Sequence, residues 1–180
     1  VAKVMRLLSI QTIYSSIFHF YMNKSTDLDL NSAKDTISIA LIREALSVAA
    51  SRGLNIVNIA NKAGISAELL TSTKARVPVN QSAQLWVELA KSMNDEFLGM
   101  DTHPMRRGSY KVLAKLAFGA DTLEQAIQDI LKFLALILDD IHGELVQEGS
   151  KAFLILHDHD QPKRMFTYST FLMLVHSLMC

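Results

Sequence analysis

Residues 121–137 read DTLEQAIQDILKFLALI, and their spacing leaves the chain little choice of local structure. Leu123, Ile127, Ile130, Leu134 and Ile137 recur at the interval of a helix with one apolar face. Asp121 and Glu124 are spaced as a capping box at its start. Such a helix needs a partner surface, and the sequence offers several. Ile37, Leu41, Ala45 and Val48 form a second stripe, with Arg52 in the last turn and Gly53 placed to stop it. A short helix is predicted near 55–63, ending at Gly64, and Ser66 caps a turn that begins AELL. Beyond Pro78, Asn80 precedes a stripe of Leu85, Trp86, Leu89 and Met93. Gly99, Pro104 and Gly108 mark a loop, and 109–118 is a further helix stopped by Gly119.

The period changes after Gly143. ELVQE and KAFLIL are strand-like runs separated by Gly149-Ser150, which suits a two-residue hairpin turn with glycine first. Pro162 closes this unit, and a last apolar helix is predicted from about Met165. The expected fold is therefore α+β, predominantly helical, with a small antiparallel hairpin near 144–156.

The two ends read differently from the middle. Residues 1–35 are expected to be an arm, and 36–180 a folded domain. Residues 7–23 lack any Asp, Glu, Lys or Arg, yet they are too polar for a good signal peptide and too short and polar for a membrane span. A start at Met22 or Met5, which makes the earlier residues an extension, is the simplest reading, ahead of a short ordered helix. At the other end FLMLVHSLMC stops within the most apolar segment and without a cap, so the domain is expected to be truncated there.

Charge and cysteine usage narrow the function. Lys and Arg total 18 and Asp and Glu total 18, so the positive excess of a duplex-binding domain is missing. Cys180 is the sole cysteine, which rules out a disulfide framework and fits a reducing cytoplasm. No Gly-rich phosphate loop or nucleophile elbow is present. Asp139 and Asp140 are adjacent and point about 100° apart on a helix, so they read as a solvated helix end rather than an acid–base pair. We expect no enzyme activity, no catalytic residue and no cofactor.

Four local patterns carry alternatives. His157-Asp158-His159-Asp160 would put two imidazoles on one strand face, suitable chemistry for zinc. No third ligand can be assigned to it, so a solvated strand end is the simpler reading and no metal is expected. NIVNIANKAGISAELLTSTKAR, at 55–76, resembles the core of a helix-turn-helix, with Lys62, Lys74 and Arg76 available to phosphates. Its second helix, however, would begin Ala67, Glu68, Leu69, Leu70 and present an acid to the bases, so a structural helix pair is preferred. Arg106-Arg107 suits a solvated loop or an anionic effector. Met165, Met173 and Met179, with Phe171, Leu172 and Val175, suit a core helix, a ligand cavity or a dimer seam.

Several marks fall in an order that resembles one family, the arabinose-binding-type N-terminal domain of AraC-type transcription regulators. They are ALSVAASRGLNIVNIANKAGIS with Gly53, Ala63 and Gly64; Arg76-Val77-Pro78 before the Trp86 helix; DEFLGM with Gly99; and KLAFGADTLEQAIQDILKF with Thr122, Leu123 and Ala126. The resemblance covers roughly residues 36–180, although the loop DTHPMRRG is more basic than the family pattern. It implies a bacterial, cytoplasmic regulator with no membrane partner. This part would sense a small-molecule effector of unknown identity, and promoter DNA would be bound by a C-terminal domain missing from this chain. It leaves room for a homodimer. Phe118, Leu123, Ile127, Ile130, Phe153 and Ile155 are the expected pocket walls, from the 123–137 helix against the hairpin. The alternatives are a small DNA-binding module using 55–76 and a helical interaction protein without a ligand.

Overall fold

The computed structural model describes residues 3–4 and 36–179. Apart from Lys3–Val4, the expected arm and the readings of residues 7–23 lie outside the described residues, as does Cys180. The described chain runs β1 (Lys3–Val4), β2 (Thr36–Ser38), α1 (Ile39–Ser51), α2 (Ile56–Lys62), α3 (Ala67–Thr71), β3 (Arg76–Pro78) and α4 (Val79–Met93). It continues through α5 (Ser109–Phe118), α6 (Leu123–Ile137), β4 (His142–Glu148), β5 (Lys151–His157) and α7 (Met165–Ser177). The fold is α+β and mostly helical, as the periodicities predict.

Two hydrophobic cores result. The first gathers α1, α2 and α4 over a two-stranded sheet in which β2 pairs antiparallel with β3 and Ile37 faces Val77. Ile39, Ile42, Ala45, Leu46 and Ala49 are its buried α1 residues. The α1 stripe therefore sits rotated from the one expected: Leu41 and Val48 lie on its half-buried flank. Ser38 caps α1, Asn55 caps α2 and Ser66 caps α3, each side chain accepting an otherwise unpaired N–H.

The second core joins α5, α6, the hairpin and α7. β4 and β5 pair antiparallel from His142↔His157 to Glu148↔Lys151, and β1 adds to the far edge of β5. Gly149, at φ 61°, makes the turn. β4 also approaches the helices closely: a Cβ on Gly143 would lie 2.7 Å from Leu131 Cδ2 and 3.0 Å from the Phe171 ring.

Two expectations for α6 are corrected. Its cap is Thr122, whose hydroxyl accepts from Gln125 N at 3.1 Å, rather than Asp121. Starting one residue later than the predicted box, the helix turns Ala126, Ile130, Leu131 and Leu134 inward and leaves Leu123 61% exposed above the core.

Helix α7 spans both cores. Phe166, in its first turn, belongs to the first core, where it meets Trp86 edge-on with ring centroids 6.0 Å apart. Tyr168, Phe171, Leu172 and Val175 belong to the second. Of the methionines named for this helix, Met173 is buried and Met165 is exposed, so the apolar face works here as core.

Candidate functional site

Where the cores meet, carboxylates hold the loop between α4 and α5 in place. Asp95 is fully buried and accepts from the N–H groups of Phe97, Gly99 and Met105, at 2.9, 2.8 and 3.0 Å. Burial raises its carboxyl above the usual range, against the pull of those three donors and of Arg52. The acidic residue and glycine of DEFLGM thus have a physical role: the carboxylate folds the turn back on itself, and Gly99 takes φ 74°. A Cβ on Gly99 would meet the Arg52 guanidinium at 2.7 Å. Without one, Arg52 reaches the Gly99 carbonyl at 2.9 Å.

Asp101 and Asp140 extend this support. Asp101 accepts from the N–H groups of His103, Asp139 and Asp140. Asp140 accepts from Thr102 and, at 3.0 Å, from the Lys163 ammonium. Burial alone would raise the Asp140 carboxyl, but hydrogen bonds from Lys163 and Thr102 outweigh it and lower the value. The Asp139 side chain is exposed, as expected of a solvated helix end, but Asp140 is not simply solvated. It fastens α6 and the start of α7 to the loop.

These fastenings leave a cavity of about 280 Å³ open at the seam. Val48 of α1 forms one wall, and Gly99 and Met100 of the loop another. Pro162, Lys163, Arg164, Phe166 and Thr167 close it at the start of α7. Arg164 is held by Glu44 and by Ser47 Oγ, which ties α7 to α1 across the seam. A concave site with mostly apolar walls and a few fixed polar groups is the usual form of a small-molecule site, and this half-open cavity would take only a small ligand.

The residues expected to form a pocket are located elsewhere. Ile130 is buried in the second core and Ile127 packs beside it. Phe153 and Ile155 are half-buried on β5, while Phe118 is 66% exposed beside Leu123 at the α5–α6 corner. A groove between α6 and β4 exists, lined by Gln128, Leu131, Lys132, Ala135, Gly143 and Leu145, and includes none of the six. The seam cavity itself had no local signal, because its walls come from segments that are distant in sequence.

At the open end of the hairpin the structure adds a third histidine to the two of the His157-Asp158-His159-Asp160 run. His142 stacks on His157 at 4.7 Å between ring centroids, and lies 5.1 Å from His159. With Asp158 and Asp160 these imidazoles border a recess of about 180 Å³. The hairpin register carried the missing signal, since a Gly149-Ser150 turn pairs 142 with 157. The strand end is not wholly solvated either, because Asp158 is buried and bonded to the Tyr168 hydroxyl. Among the described residues, no group of three or more His, Cys, Asp or Glu is arranged to hold a metal ion.

The segment at 55–76 folds as a helix pair built into the first core. Ile59, Ala60, Ala63 and Ile65 are buried there. Helix α3 is only five residues long, and Arg43 of α1 holds its end through the carbonyls of Leu70 and Ser72. A recognition helix must present several side chains along a groove, and five residues with Glu68 in the first turn offer little for that. Arg106 and Arg107 are exposed on the loop.

A domain with this fold and an open cavity at the seam suits a sensor of small molecules, and the family comparison gives the same class. Residues 53–180 match the family described as the arabinose-binding domain of AraC transcription regulators, N-terminal, and the chain belongs to that family. It is a family of regulator domains rather than of enzymes. Comparison with curated proteins and with solved structures gives no match. Among the described residues no helix is long and apolar enough to cross a membrane.

Proposed function

We propose that residues 36–180 are the effector-sensing part of a bacterial, cytoplasmic AraC-type regulator, with promoter DNA bound by a separate domain of the full-length protein. The observation that carries this reading is the cavity between the two cores, with α7 as the element common to both. A ligand there touches α1, the 99–100 turn and α7 at once. It therefore favours one arrangement of the cores over another, which is what an effector must do to shift a regulator between states. Pairing of two copies through this part is compatible with the reading and is not needed for it.

The family description mentions arabinose, but the Val48, Met100 and Phe166 walls supply few partners for a pentose's hydroxyls. The pocket expected around Phe118, Leu123, Ile127, Ile130, Phe153 and Ile155 is the second reading. It is favoured only by the half-buried positions of Ile127, Phe153 and Ile155. The test is thermal melting against a panel holding L-arabinose, other neutral metabolites and small carboxylates. At least one compound should raise the melting temperature through linkage. Val48→Phe, which fills the seam cavity, should abolish that rise. A rise that survives Val48→Phe, or no rise with any compound, counts against the seam as the effector site.

A further inference from the structure

We infer that the seam cavity takes a small organic acid, its carboxylate held at the start of α7 by the Phe166 N–H and the Thr167 hydroxyl. Its apolar body would lie against Val48, Met100 and Phe166. This inference rests on the effector-sensing reading and adds the chemical class of the effector.

Two independent features of α7 lead there. The first is its unpaired N-terminus. Arg164 at the cap position makes no side-chain capping bond, and among the described residues the N–H groups of Met165 and Phe166 have no hydrogen-bond partner. Unpaired N–H groups and the positive end of the helix dipole favour an anion at this point. The second is Thr167, which lines the cavity and is 5% exposed. Other buried helix hydroxyls bond back three or four residues, as Thr170 does to the Phe166 carbonyl, Ser82 to the Pro78 carbonyl and Ser177 to the Leu174 carbonyl. Among the described residues the Thr167 hydroxyl makes no such bond and accepts none. It is not sealed from solvent as the unpaired Trp86 indole N–H is, so it is free to donate to a ligand in the cavity it lines.

The charges nearby indicate which anion fits. Lys163 is paired with Asp140, and Arg164 with Glu44. Among the described residues no unpaired cation lines the cavity, so a multiply charged group such as phosphate would lack counter-charge there. A single carboxylate matches two donors and a helix dipole. The apolar walls then ask for a short hydrocarbon body rather than a second polar group.

The experiment is isothermal titration of the whole chain at fixed ionic strength with hexanoate, hexanamide and inorganic phosphate. Hexanoate should bind, hexanamide about tenfold or more weakly, and phosphate not at all. Thr167→Val should weaken hexanoate by about tenfold or more, and Thr167→Ser should restore affinity to within a few-fold of the parent. Equal affinity for hexanoate and hexanamide overturns the inference, as does a Thr167→Val variant that binds hexanoate like the parent. If only neutral compounds bind, and Val48→Phe abolishes their binding, the sensor reading stands and the acid inference falls. If nothing binds at all, both fall.

Discussion

His142 shows how a single side chain can be invisible in a local pattern and still set a property of the protein. Alone in the sequence, it has no ligand-like spacing to any other histidine. Paired across the hairpin, it lies between His157 and His159. Burial lowers its pKa, the neighbouring imidazoles His157 and His159 lower it further, and Glu144 opposes them. The unfolded chain therefore takes up this proton before the folded chain does. The stability contributed by neutral His142 is complete above the ordinary value of 6.5 and is lost as pH falls through the depressed folded value. Melting curves from about pH 8 to about pH 5 should show a falling melting temperature in that window, with a shallower fall in His142→Gln. Parallel slopes for the two proteins would assign the pH dependence to other groups. Asp95, Asp101 and Asp140 were equally illegible in advance. A carboxylate that satisfies the backbone of a distant loop leaves no periodicity to read, so DEFLGM could be noted as a pattern without its physical reason.

At the scale of elements, the sequence was most informative where a structure repeats. The helix at 109–118, the start of the last helix at Met165 and the hairpin about Gly149-Ser150 all follow from period, breaker residues and turn chemistry. Facing was harder. Leu123 obeys the helical period and yet projects above the core, because among the described residues no element covers the first turn of α6. The approach of β4 to the helices has the same character: Gly143 reads as a breaker, but its service is to let the strand pass Leu131 and Phe171. Leu131 can yield through its flexible end, whereas Phe171 is fully buried and cannot move far. Gly143→Ala should therefore cost about 1–2 kcal/mol of stability by overpacking. In urea unfolding this would appear as a lower midpoint with unchanged slope. An unchanged midpoint would mean that the strand has room to shift.

For the whole molecule, the relation between the two cores matters more than either core alone. Arg52 to Gly99, Arg164 to Glu44 and Ser47, and Lys163 to Asp140 fasten the seam at its edges. Its middle is left as a cavity. None of this could be located from the sequence, since it depends on how α1, the α4–α5 loop and α7 come together. On the proposed reading, occupancy of the seam would be transmitted through α7, whose first turn packs in one core and whose remainder packs in the other.

Trp86 provides the most direct test of that claim. It is the only tryptophan in the chain, it is buried in the first core, and it packs against Phe166, which lines the cavity. Its emission should be followed while the protein is titrated with any compound that raises the melting temperature. Binding at the seam predicts a saturable change in Trp86 emission, with the same midpoint as the thermal stabilisation, and loss of both in Val48→Phe. A compound that stabilises the protein, leaves Trp86 emission unchanged and binds Val48→Phe as tightly as the parent would contradict the account.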